Sequence, residues 1–126
     1  MAQRKLTSTN TMNRDFLNNT CGMMYAIDML NGRWALLILY KLENRTLRFS
    51  ELKKRVPKIT DRMLTLQLQE LEKNGLVIRS VYAEVPPRVE YHLSESALNL
   101  IPIWKQLEKW GDAHKGTMEN AMQSAV

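Results

Sequence analysis

The chain has 126 residues, 44% hydrophobic and 25% charged, with 18 Lys and Arg against 13 Asp and Glu for a net charge of +5. That size fits one domain that buries its own core, and a lone cysteine excludes an internal disulfide framework and suits a reducing cytoplasm. No apolar run approaches the roughly 18 to 20 residues of a membrane span, and MAQRKLTSTNTMNRDF lacks the apolar centre of a secretory signal, so a cytoplasmic protein with no membrane partner is expected.

Residues 1–19 are polar and rich in Asn and Thr, and read as a mobile arm with a helical tendency only near 15–18. Thr20 can cap a helix over 21–30, CGMMYAIDML, which is apolar nearly all round with Asp28 its only charge. A helix apolar on every side must be covered on every side, and in a domain this small the expected cover is a second subunit. Asn31-Gly32 then makes a turn. Residues 33–42, RWALLILYKL, form another strongly apolar segment, with Trp34, Leu37, Ile38 and Leu42 as core candidates. Periodicity alone leaves a strand open here; the bounding turn and the lack of alternation favour a helix. A polar loop leads to a short strand at Leu47-Arg48-Phe49.

The stretch FSELKKRVPKITDRMLTLQLQELEKN then reads as helix, tight turn, helix. Ser50 is the expected N-cap of a first helix over 51–56, and Pro57 stops it while biasing Val56 towards an extended backbone. Thr60 caps the second helix, with Asp61 in its first turn where the helix dipole favours negative charge. Asn74-Gly75 ends it, Gly taking the left-handed position. Leu64, Leu68 and Leu71 fall on one core-facing stripe. Arg62, Thr65, Leu66, Gln69 and Lys73 lie on the other side, where Arg and Gln can bond purine edges and Leu can meet a thymine methyl. An ordinary helical hairpin with a solvated outer face fits this stretch equally well. The residues after Gly75 shift the balance: LVIRSVY is rich in β-branched residues and VEYHL alternates apolar and polar, two strands around AEVPPR that make a hairpin directly behind the second helix. The expected class is mainly α with a small β-hairpin wing, a winged helix-turn-helix dimerising through its N- and C-terminal helices.

Ser94 caps a last helix over 95–110, in which Ala97, Leu100, Ile103, Trp104 and Leu107 form an apolar stripe and Pro102 forces a kink or break near 98–101. Met24, Ile27, Ile103, Trp104, Leu107 and Trp110 are the candidate dimer contacts. Residues 112–126 lose the pattern and read as a frayed tail, which leaves 20–111 as the folded domain. Charge is concentrated: from Arg45 to Arg62 there are seven basic and two acidic residues, which account for the whole net excess. A basic cluster on a candidate helix-turn-helix is the footprint of a phosphate-binding surface.

CGMMYAIDMLNGRWALLILYKL, LRFSELKKRVPKIT, MLTLQLQELEKNGLVIRSVYAEVPPRVEYHLSE and the trailing Trp-Gly resemble the HxlR-type winged-helix regulators, relatives of the multiple-antibiotic-resistance type. The resemblance spans about residues 21–111. It implies a bacterial or archaeal, cytoplasmic, homodimeric regulator, its DNA-reading helix over 60–74 and its wing arginine at Arg88, with Arg48 and Ser50 in the family's Arg-Phe-Ser positions. The chain departs from the family in Cys21-Gly22, where Cys-Pro is common, and in Ser94-Glu95-Ser96-Ala97, where Thr-Glu-Leu-Gly is common.

The expectation is therefore a homodimeric repressor on a pseudo-palindromic, double-stranded DNA operator. Arg62, Thr65, Leu66 and Gln69 would read bases, and Arg48, Ser50, Lys53, Lys54, Lys58, Thr60 and Arg88 would hold the backbone. Cys21, at a helix start where negative charge is favoured, is a redox candidate because some members of the similar family sense oxidants near this position; the competing role is a small structural residue. No cofactor, metal site or catalytic motif is expected: His92 and His114 share no metal-like spacing with Cys21, and the sequence names no small-molecule effector. The rival reading is a winged-helix protein-interaction module whose basic face is incidental.

Overall fold

The computed structural model describes residues 9–124, as α1 (Thr9–Thr20), α2 (Gly22–Met29), α3 (Ala35–Lys41), α4 (Phe49–Arg55), α5 (Asp61–Lys73), β1 (Val77–Tyr82), β2 (Arg88–Leu93), α6 (Glu95–Leu98) and α7 (Ile101–Ser124). Residues 33–42 are thus mainly helical, and the order is that of a winged helix-turn-helix. One core runs through it: Ala35, Ile38, Leu39 and Leu42 of and after α3, Leu52 and Val56 of and after α4, Leu64, Leu68 and Leu71 of α5, Val77 and Leu93 of the hairpin, Ala97 of α6 and Trp104 of α7. Trp34 and Leu37 are only half-buried at its edge, and Ala35 and Leu39 take the deep positions instead.

Local chemistry explains most element ends. Val56 is extended at φ −111°, ψ 96°, as the following proline requires. The Met63 N–H donates to the Thr60 hydroxyl at 3.1 Å, closing the start of α5. At its far end Gly75 takes φ +76°, Leu76 N–H reaches Leu71 C=O at 2.9 Å and Gly75 N–H reaches Glu72 C=O at 3.1 Å, a Schellman close. The Ser94 hydroxyl accepts from Ala97 N–H at 3.1 Å and donates to Gly75 C=O at 2.7 Å, tying the start of α6 to the end of α5. Pro102 falls in the first turn of α7, where a missing N–H costs nothing, so the chain breaks between Leu98 and Ile101 rather than kinking.

Two caps differ from expectation. Ser50 lies inside α4, which starts two residues early. Leu47 makes a single two-way backbone bridge to Tyr91 at 3.0 and 2.8 Å. The chain then passes through extended Arg48, whose N–H donates to the Glu51 carboxylate at 2.9 Å, straight into the helix. Thr20 belongs to α1 and donates back to Phe16 C=O at 2.9 Å, and Cys21 holds the N-cap position of α2 with no side-chain cap.

The two tails also differ. Part of the expected mobile arm, Thr9–Thr20, is helical and is tied to α2 through Asp28, which accepts from the Asn18 amide at 3.0 Å and lies 3.9 Å from Arg14; residues 1–8 lie outside the described residues. The expected frayed tail is helical through Ser124. Ala113, Lys115, Met118, Glu119, Ala121 and Met122 are good helix formers, and Leu107, Trp110, His114, Met118 and Met122 continue an apolar stripe that the two intervening glycines obscure. The Trp110 and His114 rings stack along it, 4.8 Å apart. Among the described residues no helix is long and apolar enough to cross a membrane.

Candidate nucleic-acid interface

The amphipathic rotation of α5 sets the site. Leu64, Leu68 and Leu71 are almost wholly buried, which turns Arg62, Thr65, Leu66 and Gln69 outward, all exposed. At 3.6 residues per turn these four fall within an arc of roughly 100°, the width of a face that can enter a major groove. Arg62 and Gln69 have no side-chain partner among the described residues, so their donors and acceptors are unspent. Thr65 differs, because its hydroxyl donates to Asp61 C=O at 2.8 Å. It can therefore only accept from a base, or present its methyl group.

The residues expected to hold phosphates, other than Arg88, lie at the surface of α4 and of the turn into α5. Arg48, Ser50, Lys54 and Lys58 are exposed, and none of the three cations among them is in an ion pair among the described residues. Lys58 holds the turn between α4 and α5 with a left-handed backbone, φ +65°. A non-glycine residue there costs about 1 kcal/mol, and the residue keeps a cation at the mouth of the turn. Lys53 is different: its ammonium is paired with the Asp61 carboxylate, which straps α4 to the first turn of α5. Thr60 spends its acceptor on the cap and retains a hydroxyl proton.

The hairpin gives the expected wing arginine, Arg88, partners of its own. β1 and β2 pair antiparallel with Val77 opposite Leu93, Arg79 opposite Tyr91, Val81 opposite Val89 and Tyr82 opposite Arg88. Side chains alternate between faces along a strand, and directly opposed residues share a face. Val77 and Leu93 are in the core, so Arg79 and Tyr91 lie on the α5 side. Arg88 falls on the other side. Its guanidinium is 3.3 Å from Glu84, 3.5 Å from Glu90 and stacked 4.2 Å over the Tyr82 ring. Two carboxylates and a ring thus occupy the side chain expected to grip DNA. Strand parity, counted from Val77, was the signal available in the sequence.

The dimer candidates divide in the same way. Ile27, Ile103, Leu107 and Trp110 are each more than half exposed, and Met24 is half-buried. No residue of α2 is buried, although the helix is strongly apolar. Trp104 is the exception: at 5% exposure it packs in the subunit's own core, because the α6–α7 break turns that residue inward towards α3. Cys21 is free and half-buried at the start of α2.

Comparison with known proteins gives this geometry a family. The model of the HxlR-like helix-turn-helix matches residues 29–119. An uncharacterised HTH-type transcriptional regulator of Methanothermobacter thermautotrophicus is 47% identical over 105 residues, 83% of this chain and 80% of that protein. The solved structure of the redox regulator HypR in its reduced form superposes with a TM-score of 0.74 at 40% identity, covering 79% of this chain and 99% of that one. Diamide-treated YodB from B. subtilis superposes at 0.64 with 35% identity, over 74% and 93% of the two chains. On the length of these matches and their identity, the chain belongs to the HxlR-like helix-turn-helix family.

Proposed function

We propose that this chain is a homodimeric, cytoplasmic, sequence-specific DNA-binding transcriptional regulator, acting as a repressor on a pseudo-palindromic operator. The observation that carries this reading is the outer face of α5, where exposed Arg62, Leu66 and Gln69 stand unpaired beside a run of exposed cations. Two such helices in a dimer would enter successive major grooves about one helical turn apart. Arg62, Thr65, Leu66 and Gln69 read bases, and Arg48, Ser50, Lys54, Lys58 and Thr60 hold phosphates. Lys53 contributes only as far as Asp61 releases it. Relatives named as transcriptional regulators, and not as enzymes, support this over a protein-interaction module.

The roles separate experimentally in a base-substitution series on the operator. Gln69→Ala is expected to lose about 1–3 kcal/mol of discrimination at one base pair per half-site and to leave the others alone. Lys54→Ala is expected to weaken every duplex alike. If Gln69→Ala also scales all sequences equally, Gln69 does not read a base.

A second layer of function is favoured by the likeness to HypR, which has been solved in reduced and oxidised forms, and to diamide-treated YodB. With no second cysteine in the chain, oxidation of Cys21 would join two subunits. Two thiols lose two protons and two electrons to diamide, which becomes the hydrazine, and one S–S bond forms. Diamide should then yield a covalent dimer on a non-reducing gel and change operator affinity, with both effects absent in Cys21→Ser. Identical responses of the two proteins would remove Cys21 from regulation.

A further inference from the structure

The hairpin carries two arginines, Arg79 on β1 and Arg88 on β2, and their surroundings are opposite. Arg88 is neutralised by Glu84 and Glu90, stacks on Tyr82, and lies on the hairpin face turned away from α5. Arg79 is exposed, lies on the α5 side, and forms no ion pair among the described residues. It borders a cleft of about 350 Å³ shared with Thr65, Gln69 and Glu72 of α5 and with Phe49 and Tyr91. Glu72 is the one carboxylate of that lining, and it too is exposed and without an ion pair among the described residues.

We infer that Arg79, not Arg88, is the hairpin's DNA-binding cation, and that it holds a backbone phosphate at the edge of the groove read by Thr65 and Gln69. This rests on the reading of the chain as a DNA-binding protein and adds a residue to that surface. The geometry places it beside that face. A helix that lowers its Thr65–Gln69 face into a major groove brings the groove's flanking phosphates alongside the face, and Arg79 is the unpaired cation that borders the same cleft. An unspent guanidinium offers a fork of donors that matches phosphate oxygens. Arg88, by contrast, is a brace: it clamps the loop residue Glu84 and its own strand's Glu90 to Tyr82, and so fixes the wing's outer face. Sequence order alone favours Arg88, because it ends the proline loop.

The test is the salt dependence of binding by the full-length dimer, by fluorescence anisotropy against the operator duplex and a set of its single-base variants, for wild type, Arg79→Ala, Arg79→Lys and Arg88→Ala. Each lost phosphate contact removes roughly 0.9 from the slope of log K against log salt, so Arg79→Ala in both subunits should flatten the slope by about 1.8. Its affinity should fall roughly 10- to 100-fold on all duplexes alike. Arg79→Lys, which keeps the charge, should retain the wild-type slope. Circular dichroism melts of each variant distinguish lost contact from lost fold, and Arg79 is exposed enough that its melt should not move. The inference is overturned if Arg79→Ala keeps the wild-type slope and affinity, if it alters preference at a single base only, or if the flattening follows Arg88→Ala instead. A wild-type protein with no salt-dependent binding would overturn the DNA-binding reading itself, an outcome visible before any variant is compared.

Discussion

Leu64→Ala should cost about 2–5 kcal/mol of unfolding free energy, while Leu66→Ala, two residues on along the same helix, should stay within about 0.5 kcal/mol of wild type. The two side chains are chemically identical, and only the rotation of α5 separates them. Leu64 is 0% exposed, in one cluster with Leu52 of α4 and Leu39 of α3. Truncation there removes the transfer free energy of the lost methyl groups and leaves a void that flanking helices cannot fill without moving. Leu66 is 45% exposed and belongs to the outer face. Its loss should appear in DNA recognition, as weaker preference for one thymine position, and not in stability. Urea titrations of the two variants decide the matter. Equal destabilisation, or the reverse order, would mean that α5 is rotated from the orientation that exposes Arg62 and Gln69.

The second large effect concerns assembly. Ile103→Glu combined with Leu107→Glu is expected to convert a dimer to monomers and to lower operator affinity by about 10²–10⁴-fold, the advantage that linking two half-site contacts confers. Both residues are more than half exposed on α7, so the subunit itself should fold normally. They lie on the same helix as Trp110, Met118 and Met122, all about half exposed or more, and α2 adds exposed Met23, Tyr25 and Ile27. That amount of unburied apolar surface on α2 and α7 is what a partner subunit would cover. Sedimentation equilibrium reads the assembly and anisotropy the affinity. A variant that stays dimeric would put the interface elsewhere, and one that turns monomeric without losing affinity would contradict two-site recognition.

The parts of the molecule governed by short-range chemistry were legible in the residues. The Leu64, Leu68 and Leu71 stripe, the Thr60 and Ser94 caps, the Gly75 close and the break before Pro102 each depend on neighbours within a turn or two, and each is found where the residue types put it. The parts decided at longer range were not. The helix Thr9–Thr20 is tied down by Asn18 and Arg14 meeting Asp28, a contact between helices that no local pattern announces. The far half of α7 hid behind two glycines that interrupt its apolar stripe without ending it. The outward placing of Arg62 and Gln69 could be read from helix rotation alone. The ion pairs of Lys53 and Arg88 could not, because the fold brings their carboxylates to them, Asp61 across the turn and Glu84 and Glu90 on the hairpin. The same strand parity that turns Arg88 away from α5 places Arg79 on the α5 side.

Recognition of a DNA sequence by the basic, helix-presenting face of α5 is tested most directly by anisotropy of the protein against the duplex upstream of its own gene and against a shuffled duplex of the same composition, over a salt series. Tight binding to the natural duplex is expected, steeply weakened by salt, with the shuffled duplex bound at least about a thousandfold more weakly at physiological salt, the lower end of specific over non-specific binding. Failure of either duplex to bind even at low salt would contradict DNA recognition and turn the outer face of α5 into a surface for a protein partner.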